Sequence, residues 1–485
     1  MTRASMSVLS KSDIEQVHET SLRILSEVGV KIDSPSVLKM LADAGAKTNP
    51  KRQLVFLEER MVTGALKVAP RKVKICSRGG KDYEIPQEGL QLISIEGQPA
   101  AMFDIRTGKK RPSTLKDVID LVIIADALPE VDFVWPPVGA TDMPSDRSSY
   151  FEFIASIAYT SKHIQHGAAT AKEANFQIEV ASAILGSKEA LAKRPIFSDV
   201  VTPISPLRYD EGEAEAMVTL AKASIPVVQL SMGIAASVTP VSIAGTLAVV
   251  NAENLCGLTI SQTAKIGAPS IYSSFSGVSD LKSGVFLCGT PEGILMDSAA
   301  IEMARHYGLP SCAGGPGNAS RTTSIEGGYQ SAMTAMASIL TGSDLVVGLG
   351  GLDRSSMFCT EKLIMDAEMW RWLERLKAGV EVDGGTLALD AVKRQGPSGN
   401  FLSDPHTLKY MRKELMIPQV TGYHMPGEPD HSKDDLIEFA KKRTKEILST
   451  YKPPLLSKDV AARVGKVTEK YGIVLPDGRQ IFQHA

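Results

Sequence analysis

Short apolar runs separated by amphipathic segments set the rhythm of this chain from Ser113 onward. Runs suited to buried strands fall at Phe133 to Val138, Ile164 to Ala168, Pro195 to Thr202, Pro226 to Ser231, Pro269 to Ser274, Pro310 to Ala313 and Leu345 to Val347. The segments between them carry helix starts, such as Thr239-Pro240 and Thr290-Pro291-Glu292, with proline at the first helical position. Thr323-Ser324-Ile325-Glu326 matches a capping box, Tyr329, Met333, Met336 and Leu340 follow at helical spacing, and Gly342 is placed to stop the helix. Strand and helix patterns alternating over about 240 residues predict an α/β (β/α)8 TIM barrel rather than a doubly wound sheet, with the eighth strand near Asn400 to Leu402. Two Gly-rich loops, Gly314 to Asn318 and Gly348 to Gly351, then lie at the carboxyl ends of their strands, the edge at which barrels bind ligands.

Upstream the pattern differs. Ser12-Asp13-Ile14-Glu15 reads as a capping box, Ile14, Val17, Ile24 and Val28 repeat helically as far as Gly29, and Ser34-Pro35 opens a second helix ending near Gly45. Lys72 to Cys76, Leu90 to Ile95 and Ala100 to Ile105 are short alternating runs broken by Gly and Pro, and read as hairpins. The expected organisation is a helical and β-hairpin subdomain over 1–112 capping the main domain, a barrel catalytic domain over 113–425, and a C-terminal helix and tail over 426–485. Residues 432–450 read as a charged surface helix, and the tail holds an Asp477-Gly478 turn.

Composition narrows the function. Of 485 residues, 43% are hydrophobic and 22% charged, an ordinary soluble balance, and 53 basic against 55 acidic residues leave no electrostatic footprint for nucleic acid. The N-terminus has no basic stretch followed by an apolar core, and no run of about 18 apolar residues follows, so a cytoplasmic protein without a membrane partner is expected. Five cysteines, odd in number and never spaced C-x-x-C, read as reduced buried thiols.

Candidate chemistry is sparse. His163 and His166 are three apart on one strand and point to opposite faces, so a shared metal is not expected, and His166, near a strand's carboxyl end, is the one placed in the site. Gly314 to Gly317 before a helix would suit a phosphate, but no P-loop lysine follows. Trp135, Tyr272, Phe275 and Tyr329 fall near strand ends or loop-helix junctions, where aromatic faces suit a cation, although each also reads as barrel core. No Ser-His-Asp order or metal ligand set can be assembled.

Several blocks resemble the trimethylamine methyltransferase family of corrinoid-dependent enzymes acting on methylated amines. They are TGKKRPST from Thr107, DALPEVDFV, TPISPL, GIAASVTPVSIAGTLAVVNAEN, GAPSIYSS, TPEG, and GGYQSAMTAMASILTGSDLVVGLGGLD from Gly327 to Asp353. The resemblance implies a barrel that holds a methylated amine at its carboxyl face and presents a methyl group to the cobalt of a separate corrinoid protein, with neither zinc nor cobalamin tightly bound to the barrel. The amine-specific branch carries pyrrolysine in a segment like Gly-x-Gly-x-Leu-Glu-Ser, and the matching string here is Gly348-Leu349-Gly350-Gly351-Leu352-Asp353-Arg354, which puts Gly351 at that position. Members without pyrrolysine use quaternary amines such as glycine betaine. Expected site residues are therefore Gly351, Glu292 and His166 for chemistry, and Trp135, Phe275, Tyr329, Tyr272 and Arg354 for the substrate, with Arg354 or Arg208 meeting an acid group on it. A trimethylamine methyltransferase, a barrel lyase or aldolase on a phosphorylated metabolite, and a binding protein without chemistry are the alternatives, and a homo-oligomer is compatible with each.

Overall fold

The computed structural model describes residues 4–105, 107–418 and 433–474. Eight parallel strands close into a barrel. In chain order they are β1 Leu92–Ile95, β2 Phe133–Val134, β3 His163–Gly167, β4 Phe197–Val201, β5 Val227–Ser231, β6 Ser270–Ser274, β7 Ser311–Gly314 and β8 Leu345–Leu349. The main helix after each strand is, in the same order, α1 Leu115–Ala127, α2 Ser148–Tyr159, α3 Ala171–Leu185, α4 Glu211–Lys222, α5 Ile243–Ala264, α6 Pro291–Tyr307, α7 Ile325–Thr341 and α8 Thr360–Ala378.

The strand that completes the barrel comes first in the chain, not last. Leu92–Ile95 pairs with β8, Ile93 opposite Val346, and with β2, Ser94 opposite Phe133. Asn400 to Leu402 carry no strand, and the barrel begins ahead of the boundary expected at Pro112. The reason is physical: β1 is buried at all four positions, and its closing partner lies far along the chain, so local alternation gives no sign of it. The other two expected hairpins form, Val73–Ile75 with Tyr83–Ile85 and Ala101–Asp104 with Lys109–Pro112. The first packs into the barrel lumen beside Leu92, Phe133, Val200, Val228, Ile271, Cys312 and Leu345. The second joins Gly351–Leu352 and Met357–Phe358, just past β8, in a four-stranded sheet at the carboxyl end.

The N-terminal segment flanks the barrel. Helices Lys11–Arg23 and Glu59–Val68 pack on α5, and Arg208–Tyr209 from the loop after β4 joins the sheet of Val30–Ile32 and Leu54–Phe56. The first helix is capped by Ser10 with Asp13, two residues before the expected start. The family-like blocks TPISPL and NAEN meet here. Glu253 of α5 accepts hydrogen bonds from Ser205 Oγ at 2.8 Å, from the Leu207 N–H at 2.7 Å and from Ser231 Oγ, and so fastens the loop after β4. By length and composition α5 could cross a membrane, but 83% of its apolar window is buried and serves the core.

At the other end α9 Lys433–Thr450 packs on α8 and α1, and α10 Lys458–Tyr471 on α3, so the expected tail contains a helix. Asp477-Gly478 lies outside the described residues. All five cysteines are free and buried. Ser324 caps α7, one residue after the Thr323 of the expected capping box, and the apolar face inferred for that helix points outward: Tyr329, Met333 and Met336 are 54%, 42% and 39% exposed, while Ser331, Ala335, Ser338 and Ile339 are buried.

Candidate active site at the barrel mouth

Glu96 follows β1 directly, and its N–H donates to Leu349 O of β8, closing the barrel wall at its carboxyl end. A Cβ built on Gly351 would stand 2.9 Å from both Cγ and Cδ of Glu96, so the carboxylate fills the space a side chain at 351 would need. The carboxylate accepts from the Gly97 N–H at 3.0 Å and from the Ser355 hydroxyl. Burial pushes its pKa above the usual carboxylate range, against the pull of those two hydrogen bonds and of the Lys362 charge, with Asp366 adding to the rise. An enclosed acid with a raised pKa and, among the described residues, no cationic hydrogen-bond partner is poised to receive a cation.

Two aromatic rings stand nearby. The Trp135 indole lies against the backbone of Gly97, where a Cβ would come within 2.7 Å of its Cγ, and it packs on the lumen cluster. Phe275, one residue past β6, covers Gly314, where a Cβ would come within 2.8 Å of the ring, and its centroid is 6.1 Å from that of Phe286. The shared feature is that the glycine lets backbone and ring approach closely.

The corner that carries Gly351 is held from outside the barrel. Asp366 of α8 accepts the Gly350 N–H at 2.8 Å and pairs with Lys362 at 2.5 Å, while Lys362 also donates to Pro316 O at 3.2 Å. One buried pair therefore fastens both Gly-rich loops. The turn after Gly351 is strained: Asp353, Arg354 and Ser355 have φ of 48°, 59° and 63°, a left-handed run that costs on the order of 1 kcal/mol or more per residue. It is imposed by the Asp353 N–H on Ser320 O at 2.8 Å and the Arg354 N–H on Asn318 O at 2.9 Å, and it delivers the Ser355 hydroxyl to Glu96.

The expected site residues divide sharply. Gly351 and Trp135 are brought together at the mouth through Glu96 and Gly97, while Phe275 lies over Gly314 at the carboxyl end of β7. His166 is not among them: it points outward with Ile164 and Phe197, edge-on to Phe153 at 5.5 Å, and burial lowers its pKa to about 4. Tyr272 also faces outward, donating from Oη to Asn251 Oδ1 of α5 at 2.9 Å. Glu292 is exposed on the first turn of α6, and Tyr329 is exposed on α7. Arg354 is bound to the adjacent Asp353, and Arg208 pairs with Asp33 at 2.7 Å on the N-terminal flank. The sequence pattern missed Glu96 and Ser355. Glu96 could have been found only by recognising Leu92–Ile95 as a barrel strand.

The Gly314 to Gly317 loop does not form a phosphate cradle. The Gly315 N–H is taken by Val347 O at 2.6 Å, Phe275 covers Gly314, and α7 starts only at Ile325. A cavity of about 300 Å³ beside it, between α7 and α8, is lined by Leu352, Met365 and Met369 and lies outside the barrel. Among the described residues, no three His, Cys, Asp or Glu side chains are grouped to hold a metal ion. The geometry instead suits a small cation held between rings and a carboxylate. A cation over a ring is worth about 0.5 to 2 kcal/mol, so Phe275→Leu is expected to weaken tetramethylammonium binding several-fold by calorimetry. Unchanged affinity would remove Phe275 from the site.

The family model for trimethylamine methyltransferase matches residues 1–470. The chain is 30% identical over 459 residues to a glycine betaine methyltransferase of Desulfitobacterium hafniense (strain Y51), covering 94% of this chain and 95% of that protein. It is 28% identical over 469 residues to the trimethylamine methyltransferase MttB of the same species, strain DSM 10664 / DCB-2, covering 96% and 94%. The structure of the Methanosarcina barkeri monomethylamine methyltransferase MtmB superposes with a TM-score of 0.51 at 12% identity, over 90% of this chain and 88% of that one, and so shares the barrel fold.

Proposed function

We propose a methyl donor for this chain from one premise: it belongs to the trimethylamine methyltransferase family and is a methyltransferase. The donor is a quaternary amine of the glycine betaine kind, and the acceptor is the reduced cobalt of a corrinoid carried by a separate protein. The observation that carries this reading is the contact between Gly351 and Glu96. No side chain at 351 activates an amine, and a buried carboxylate fills its place. A quaternary nitrogen needs no activation, because it is permanently charged. When the C–N bond breaks, the methyl carbon accepts the electron pair of the acceptor, the old bonding pair stays on nitrogen, and a neutral tertiary amine leaves with no proton transfer. Trimethylamine as the free base is a poor donor and would need protonation or an electrophile.

This chain's own contribution is positioning and electrostatics, and holding two reactants in line can lower a barrier by about 7 to 11 kcal/mol. Glu96, Trp135 and Phe275 fix the ammonium at the mouth, with a methyl group toward the incoming partner. The reading places the reaction in the cytoplasm, in keeping with five unpaired buried thiols.

The test is methylation of cob(I)alamin or a corrinoid protein, followed by visible absorbance, with glycine betaine and trimethylamine side by side. Betaine is expected to support turnover and trimethylamine is not, and the reverse result overturns the reading. Gly351→Ala must push Glu96 aside, and since a displacement of about 1 Å can cost up to 10²-fold, a loss in kcat/KM of about tenfold is expected. An unaffected Gly351→Ala enzyme would show that the contact has no role.

A further inference from the structure

We propose that Gln165 and the indole N–H of Trp135 bind the carboxylate of the substrate, making the enzyme selective for a zwitterionic betaine over a quaternary amine with a neutral tail. The proposal rests on the quaternary-amine reading above and names the part of the site that reads the other end of the molecule.

Gln165 is 0% exposed, yet neither its Nε2 nor its Oε1 has a hydrogen-bond partner, and the Trp135 Nε1 is also buried and unpartnered. An unmade hydrogen bond on a buried polar group costs about 1 to 3 kcal/mol, so three such atoms close together mark a place that a ligand completes.

Register puts them together. Ser94 lies opposite Phe133, and Phe133 opposite His163. Two residues further along each strand, on the same face, come Glu96, Trp135 and Gln165. That face is the lumen: Trp135 packs on the lumen cluster, Gln165 is level with Ser198, and Ser198 shares its face with the lumen residue Val200. Acid, indole and amide thus form one row across three adjacent strands. At about 4.8 Å per strand, the backbones of Glu96 and Gln165 are about 10 Å apart, room for a small zwitterion lying across the indole.

The chemistry fixes its direction. The Glu96 charge attracts the ammonium end and repels a carboxylate, so the acid group is driven to the far end of the row. There the Gln165 Nε2–H and the Trp135 Nε1–H are both donors. The two arginines that sequence offered for this task are engaged elsewhere, Arg208 by Asp33 and Arg354 by Asp353.

The test is calorimetric titration of the purified full chain with glycine betaine, choline and tetramethylammonium. Wild type is expected to bind betaine tightest. Hydrogen bonds to a charged group support roughly a tenfold to hundredfold change, so Gln165→Leu and Trp135→Phe should each lower the ratio of betaine to tetramethylammonium affinity by about tenfold or more. Trp135→Phe keeps a ring and removes the N–H, and it decides the matter if Gln165→Leu fails to fold. A wild type that binds choline and tetramethylammonium as tightly as betaine overturns the subsite and leaves the quaternary-amine reading standing. So does an unchanged ratio in a folded variant. A wild type that binds no quaternary ammonium compound overturns both.

Discussion

Glu96→Gln is expected to weaken binding of a quaternary ammonium substrate by more than any other single change at the mouth. The amide keeps the shape of the carboxylate and removes its charge, leaving the permanent cation without a counter-charge in a water-poor site. Removing one member of a buried charge pair costs about 2 to 5 kcal/mol, or roughly 30-fold to several thousand-fold in affinity. The same residue sets a pH dependence. Its pKa is raised, chiefly by burial, so as the pH falls toward that pKa the empty enzyme takes up a proton on Glu96 that must leave when the cation binds. Affinity should therefore be full above that raised pKa and fall about tenfold per pH unit below it, with protons released into the buffer on binding. Calorimetry across pH, in buffers of different ionisation enthalpy, measures both effects. Wild-type affinity independent of pH, or a Glu96→Gln enzyme that binds like wild type, would exclude Glu96 as the counter-charge.

Lys362→Met is expected to be the most destabilising of these substitutions. Lys362 and Asp366 have side chains only 8% and 7% exposed, and Asp366 also accepts the Gly350 N–H. Without the lysine a buried carboxylate is left without its cation, and Pro316 O keeps only the Ser331 hydroxyl as donor. Breaking such a pair from one side costs about 3 to 5 kcal/mol, read from urea unfolding. Replacing both, as Lys362→Met with Asp366→Leu, should recover part of the loss, because a pair of apolar side chains carries no stranded charge. A single variant within about 1 kcal/mol of wild type, the range of exposed pairs, would mean that water reaches the site. Methyl transfer should fall as well, because this pair holds the corner on which Gly351 meets Glu96.

Much of the architecture could be read from local pattern. Seven barrel strands announce themselves as short apolar runs between helix caps, and Ser34, Thr290 and Gly342 mark helix ends where expected, because a capping side chain or a left-handed glycine acts within one turn of itself. The Gly348 to Gly351 string, together with the other family-like blocks, carried the resemblance and the expectation that Gly351 belongs to the site. Three decisions belonged to the tertiary structure. β1 is recognisable as a barrel strand only once Ile93 has found Val346, and with it Glu96 moves from a hairpin into the mouth. A period of two shows that Gln165 and His166 face opposite ways, but only barrel closure decides that Gln165 faces the lumen and His166 the helices. On α7 helical spacing grouped Tyr329, Met333 and Met336 as one face, yet the barrel accepts the small face of Ser331, Ala335 and Ser338. Local pattern reports which residues share a face, whereas the space left by neighbours distant in sequence determines which face is buried.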